Sequence, residues 1–208
     1  LRFINLGSNQ LTGTFPFFPN IEIISFGKNN LISFDSRYFT SASSVKKFKG
    51  FHNKLSGPLP MTWELPNLIE LDLGYNFLTG TIPHELWNLP TLKSLFLDHC
   101  NVTGMLPSYS ESGAMHRLWL DSNSLTGTIP LNFGWNWTKL YSIKLQNNAL
   151  TGSITAEQCN RWKLNPIEIL INRNRIPSKS NSTEINLNRN RIQLKSRLDR
   201  SNMLSSCK

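Results

Sequence analysis

The chain has 208 residues, 39% hydrophobic and 11% aromatic, which is enough to bury a sizeable core and too apolar for a polar tail carrying isolated motifs. Its formal charge of +9 is unevenly placed: residues 1–160 hold eleven Lys/Arg against ten Asp/Glu, and residues 161–208 hold eleven against three. No apolar run approaches the roughly 18 residues of a membrane span, and there is no phosphate loop, nucleophile elbow or metal-spaced Cys/His set, so the sequence speaks against a membrane-spanning segment, an enzyme or a cofactor.

From the N-terminus onward, LTGTFP at residues 11–16 returns as LTGTIP at 78–83 and 125–130, and as LTGSIT at 150–155. Each triplet follows an anchor residue. These anchors are Asn9, Asn29, Asn53, Asn76, Cys100, Asn123 and Asn148, separated by 20, 24, 23, 24, 23 and 25 positions. The apolar frame keeps the same period, as in Leu68, Leu71, Leu73, Leu78 and Ile82, then Leu92, Leu95, Leu97, Val102 and Leu106. Such a period is the mark of a repeat array in which no unit can bury its apolar face alone.

The LxL alternation predicts a short strand with its leucines inward, and parallel strands of successive units stack about 4.8 Å apart. The anchoring Asn is expected to satisfy backbone groups where the chain leaves the sheet, so that Asn76 and Asn123 join a buried ladder. Cys100 sits in that ladder as an inert substitute, which argues against a Cys/His catalytic reading with the adjacent His99. Gly80, Gly104, Gly127 and Gly152 suit a turn with permissive dihedrals, and the Pro that follows in most units suits an extended return. The second unit, IISFGKNNLISFDS, lacks the LTGxIP sextet, and the seventh has Thr155 in place of Pro.

The stretch LIELDLGYNFLTGTIPHELWNLPTL at residues 68–92 resembles the plant-type leucine-rich repeat of receptor-kinase ectodomains and polygalacturonase-inhibiting proteins, and the resemblance extends from residue 1 to about 155. It implies an α/β solenoid, a right-handed superhelix of about seven repeats with a parallel concave sheet and short 3-10 or irregular convex segments. It also implies non-catalytic recognition of a protein, peptide or glycan at the cell surface or outside the cell, as a secreted protein or a receptor-like ectodomain. The usual N-terminal cap is missing and Leu1 lies inside a repeat, so an N-terminally truncated fragment is expected.

In a solenoid of this kind the variable positions of LxxLxLxx project onto the concave face. Across the third to sixth units these are Lys47, Lys49, Phe51 and His52; Glu70, Asp72 and Tyr75; Phe96, Asp98 and His99; and Arg117, Trp119 and Asp121. Stacking places Phe96 beside Trp119 and Asp98 beside Asp121. The ligand-binding expectation therefore rests on Phe51, His52, Asp72, Tyr75, Phe96, Asp98, His99, Arg117, Trp119 and Asp121, with aromatic and Arg anchors as the types that dominate interface energies. The bland alternative is a structural cell-surface module in which these pairs only stabilise the sheet. Asp98 and Asp121 are also placed to share a calcium ion, but two ligands do not make a site. A hydroxyl column of Thr12, Ser56, Thr79, Thr103, Thr126 and Thr151 suggests an ice-matching surface, although those residues belong to the repeat consensus.

Sequons occur at Asn101, Asn136 and Asn181, a number that chance alone supplies; Asn136 is expected to be the most exposed acceptor and Asn101, beside the ladder, less so. The caps of the resembling families carry disulfides, which makes Cys159 and Cys207 the candidate pair. Residues 156–208 read as degenerate terminal repeats (ILINRNRI at 169–176, INLNRNRI at 185–192) with a basic tail rich in Asn, Arg, Lys and Ser. That tail offers an alternative function, binding of an anionic polymer, but without aromatics beyond Trp162 it has no stacking platform for specific nucleic-acid recognition.

Overall fold

The computed structural model describes residues 1–41, 44–110, 112–154, 157–158, 168–170 and 185–186. Cys159, Cys207 and Asn181 lie outside them. Among the described residues the chain forms sixteen short strands on two surfaces. The odd-numbered ones are β1 (Phe3–Asn5), β3 (Ile23–Ser25), β5 (Lys47–Lys49), β7 (Glu70–Asp72), β9 (Ser94–Phe96), β11 (Arg117–Trp119), β13 (Ser142–Lys144) and β15 (Glu168–Leu170). They pair in sequence order into one eight-stranded parallel sheet. The even-numbered ones are β2 (Thr12–Phe15), β4 (Asn30–Phe34), β6 (Ser56–Pro58), β8 (Phe77–Thr79), β10 (Thr103–Met105), β12 (Ser124–Thr126), β14 (Ser153–Ile154) and β16 (Ile185–Asn186). They pair two by two on an outer surface, all parallel except β14 with β16.

The inward leucines stack as the repeat demands. Leu71, Leu73, Leu95, Leu97, Leu118 and Leu120 are essentially inaccessible, and their equivalents in the second and third units are Ile24, Phe26 and Phe48. Gly50 takes the place of a leucine in the third unit, and the Phe26 ring fills the space where its Cβ would lie. Further Phe residues complete this end of the core, with Phe15 stacked 4.2 Å from Phe26 and Phe48 edge-on at 5.3 Å. Convex helices are short among the described residues: a 3-10 turn at Ser36–Phe39 and α1 (His84–Trp87). Each buries an aromatic side chain, Tyr38 and Phe39 in one and Trp87 in the other.

The ladder binds each unit to the one before it. Asn53 Oδ1 accepts the Leu31 amide at 3.0 Å, while its Nδ2 donates to the carbonyls of Phe26 (3.0 Å) and Gly50 (3.1 Å). Asn29, Asn76, Asn123 and Asn148 accept Leu11, Leu55, Val102 and Leu125 in the same way. Asn123 is half-buried where full burial was expected. Asn9 is exposed, and its Nδ2 donates to carbonyls of its own unit, Leu6 and Gly7. Cys100 is buried and unpaired with another cysteine, and its thiol donates to Leu73 O at 3.5 Å and Asp98 O at 3.6 Å. Burial pushes this thiol up to about 11, which keeps it protonated and unreactive.

Two local features depart from the sequence reading. The residue before each anchor, namely Ser8, Lys28, His52, Tyr75, His99, Ser122 and Asn147, has φ between 51° and 58°, a left-handed region that the sequence assigned only to glycine. Amide bonds to the next unit hold it there, for example His52 N to Gly74 O at 2.9 Å and Tyr75 N to Asp98 O at 2.8 Å. In the second unit, where LISF replaces the glycine turn, β4 carries an irregularity: Gly13 pairs Leu31 and Thr14 pairs Ser33, leaving Ile32 unpaired and 53% exposed. The glycines of the regular units behave as expected, with φ of 73° at Gly80 and 90° at Gly104.

The ladder carries a stability prediction in both directions. Cys100→Asn restores an oxygen acceptor opposite the Leu78 amide and should raise stability by about 0.5–1.5 kcal/mol, the net worth of a hydrogen bond. Asn76→Ala orphans the buried Leu55 amide and should cost on the order of 1–3 kcal/mol or more. Urea unfolding of the two variants beside wild type measures both shifts.

Candidate ligand-binding face

The concave sheet carries one continuous band of charged and aromatic side chains, built strand by strand in register. Lys47 and Lys49 on β5 lie opposite Glu70 and Asp72 on β7. Asp72 lies opposite Phe96, and Phe96 opposite Trp119. Lys49 Nζ reaches Glu70 Oε1 at 2.9 Å and Lys47 Nζ reaches Oε2 at 3.7 Å, so the nearly buried Glu70 has its own counterions.

The aromatic pair forms, with ring centroids of Phe96 and Trp119 4.7 Å apart. Phe96 is not an accessible contact residue, however: it is 5% exposed. The Arg117 guanidinium covers it at 5.0 Å, tethered by Nε donating to Ser94 Oγ at 3.0 Å. Trp119 stays half-exposed, donates through Nε1 to Ser142 Oγ at 2.9 Å, and carries the Lys144 ammonium 3.6 Å over its ring. These cation–π contacts hold flexible cations on the surface of the patch. Phe51 is half-buried, its ring lying back over Gly27 where a Cβ would come within 2.5 Å of it.

At the rim of the sheet the left-handed residues make a ring stack that the sequence reading did not assemble. His52 and Tyr75 lie 4.1 Å apart at 15°, and Tyr75 and His99 4.1 Å apart at 9°. All three are exposed. Their positions just before each anchor were the available signal, since consecutive units must present that column at the strand spacing.

Beside the stack lies a carboxylate cluster. Asp98 (7% exposed) and Asp121 (6%) are buried, not solvated. Gly74 makes room for Asp98, because a Cβ there would come 2.6 Å from Asp98 Oδ1. His99 Nδ1 stands 3.3 Å from Asp98 Oδ2 and 3.9 Å from Asp121 Oδ2, while Asp121 Oδ1 is buried without a hydrogen-bond partner. Burial raises the Asp121 carboxyl, and the Asp98 charge adds to the effect. Asp72 is raised to about 7, first by burial against a weak opposing bond from the Gly74 amide, and further by Asp98 and Glu70. No group of three or more His, Cys, Asp or Glu arranged to hold a metal ion occurs among the described residues, so the calcium reading of Asp98 and Asp121 gains no further ligand.

The other expected sites fall elsewhere. Asn101 is exposed, whereas Asn136 is half-buried with Nδ2 donating to Ser110 O at 3.2 Å, the reverse of the expected order of exposure. The outer Thr and Ser hydroxyls do not form unbroken rows: Pro58 lies opposite Thr79 and the 75% exposed Met105 opposite Thr126. Among the described residues no helix is long and apolar enough to cross a membrane.

A stack of short parallel strands closed by an Asn ladder, with a variable concave band, defines a leucine-rich repeat protein. Residues 62–102 match the leucine-rich repeat family directly. The chain is 28% identical over 175 residues to Receptor-like protein 13 of Arabidopsis thaliana, covering 79% of this chain and 14% of that protein. Among solved structures it is similar to the plant peptide hormone receptor RGFR1 in complex with RGF2 (26% identity, TM-score 0.66, 85% of this chain and 32% of that one). A plant ice-binding protein is also similar (25% identity, TM-score 0.64, 80% and 62%). The chain is a plant-type leucine-rich repeat protein. It spans about a seventh of the length of the receptor-like protein it matches.

The Asp72 shift predicts a pH dependence. A carboxyl raised on folding binds its proton more tightly in the folded state, so its stabilising effect is complete below the unfolded pKa near 3.9 and is lost as pH rises through about 7. His116, which burial and the nearby Lys93 lower, acts in the opposite sense around its ordinary value. Comparison with Asp72→Asn separates the two: the difference in urea midpoint between wild type and variant should move against wild type from pH 5 to pH 8.

Proposed function

We propose that this protein recognises a peptide or protein ligand through the middle of its concave face, outside the cell or at its surface, without catalysing a reaction. The observation that supports it most is the juxtaposition, across the units of β5 to β11, of the exposed His52–Tyr75–His99 stack, the half-exposed Trp119 and the buried carboxylates. Rigid, solvent-exposed rings beside desolvated polar groups are the composition of binding hot spots, and a sheet that needed only solubility would not bury carboxylates. The similarity to a plant peptide hormone receptor in complex with RGF2 agrees with this reading, and the receptor-like relatives agree with an extracellular setting. A glycan remains a further ligand class for the same rings. The formal +8 carried by residues 161–208 supports a second reading, in which an acidic polymer binds there with steep salt dependence.

A binding screen against extracellular peptides, glycans and cell-wall enzymes tests the proposal, with Tyr75→Ala/Trp119→Ala beside wild type and folding checked by circular dichroism. These two residues are accessible, whereas Phe96 is 5% exposed beneath the Arg117 guanidinium, so Phe96→Ala would disturb the packing of the band as well as any contact. The double variant should lose ligand by at least tenfold while its fold is kept. Hits that persist in it but vanish on removal of residues 161–208 would move recognition to the basic segment.

A further inference from the structure

The concave band is rich in both signs of charge, yet its counterions are unevenly shared. Glu70 is paired with Lys47 and Lys49. The next three carboxylates along the stack, Asp72, Asp98 and Asp121, have one ion-pair partner between them among the described residues, the His99 imidazole, at 3.3 Å from Asp98 and 3.9 Å from Asp121. Arg117 and Lys144, the cations of the following strands, are engaged over the Phe96 and Trp119 rings. Lys49 and Lys144 exert some charge on Asp72 and Asp121 from a distance, but neither is bonded to them.

We propose that the ligand of this face inserts a cationic side chain, guanidinium or ammonium, into the notch formed by Asp72, Asp98 and Asp121. The inference rests on the concave face being the recognition surface, and adds the charge of what is recognised there. An independent observation points to a missing donor: Asp121 is 6% exposed, its Oδ2 faces the His99 nitrogen shared with Asp98, and its Oδ1 has no hydrogen-bond partner. A buried carboxylate oxygen without a donor is costly, and an N–H group from a ligand removes that cost.

The walls suit the same occupant. Tyr75 stacks face to face between His52 and His99 at the rim, and Trp119 already holds the Lys144 ammonium 3.6 Å over its ring. A guanidinium offers five donors in a plane and stacks on aromatic faces, so it answers the carboxylates and, by taking the place of the Lys144 ammonium, the Trp119 ring. His99, exposed and lying over Asp98 and Asp121, is the group that a stronger cation displaces. A divalent ion fits less well, since calcium takes six to eight oxygen ligands and no metal-holding group of three is present among the described residues.

The test is selection of a phage-displayed random heptapeptide library on the intact chain at pH 7, with sequencing of the pools from wild type, Asp98→Asn/Asp121→Asn and Tyr75→Ala/Trp119→Ala. The Asn variants are close in shape and remove repulsion, so they should fold; urea unfolding verifies this. Wild type should enrich Arg or Lys at one position several-fold over the input, and the Asn variant should lose that enrichment. Replacing the selected Arg by citrulline in a synthetic peptide should weaken binding at least tenfold. A pool with no basic position, or one that the Asn variant retains, overturns the inference. Concave recognition still stands in that case if Tyr75→Ala/Trp119→Ala abolishes the binders. No binders at all, or binders indifferent to both variants, would defeat the inference and the proposed function together. Millimolar calcium that stabilises the chain and blocks the peptides would assign the notch to a metal instead.

Discussion

The structure depends on one constraint: no unit can bury its own apolar face, so each must be held in register against the next. The ladder meets that constraint by putting both ends of an amide to work across the boundary between units. Asn76, for example, accepts the Leu55 amide and donates to Gly50 and Leu73 carbonyls, so it closes its own turn and fixes the preceding unit at once. Because the same contact recurs at nearly every unit, the concave strands repeat with one spacing. Side chains far apart in sequence are thereby turned into a single surface.

That surface is shaped as much by what is absent as by what is present. Gly74 lets Asp98 lie back across the stack, Gly27 does the same for Phe51, and Gly50 admits the Phe26 ring into the core. Each vacancy is filled by a larger side chain of an adjacent unit, so packing is balanced between units and not within them. The left-handed residues before the anchors extend this logic to the rim. Their backbone strain, of order 1 kcal/mol each, is offset by hydrogen bonds to the next unit, and the consequence is a row of side chains facing outward in parallel. Where that row carries His52, Tyr75 and His99 it becomes a stack of rings beside the carboxylates.

The repeat itself was legible because its signals are local and periodic. The LxL strands, the anchors, the glycine turns and the neighbouring of Phe96 and Trp119 all follow from counting along the chain. What counting does not reveal is which side chain covers which. Phe96 is hidden because Arg117 and Lys144 fold over the aromatic pair, and long cations choose their resting place by contacts that no spacing encodes. The burial of Asp98 depends on Gly74 in the preceding unit, and Asn136 turns inward for the carbonyl of Ser110, 26 residues earlier. The His52–Tyr75–His99 stack needed the left-handed backbone, which composition signals only where glycine or asparagine occupies the position.

The buried carboxylate cluster is the feature on which the reading of the concave face turns, and its ionisation can be measured directly. Carbon-13 NMR of the aspartate carboxyls, followed from pH 3 to pH 9, separates Asp72, Asp98 and Asp121 from the half-exposed Asp35, which its Arg37 partner holds at about 2. Asp72 should titrate near 7, and its curve should shift downward in Asp98→Asn, because burial and the neighbouring charge act on it together. Titrations of Asp72 and Asp121 at the ordinary carboxylate value, unchanged by that substitution, would mean that these carboxylates are solvated and that the concave face holds no preformed notch.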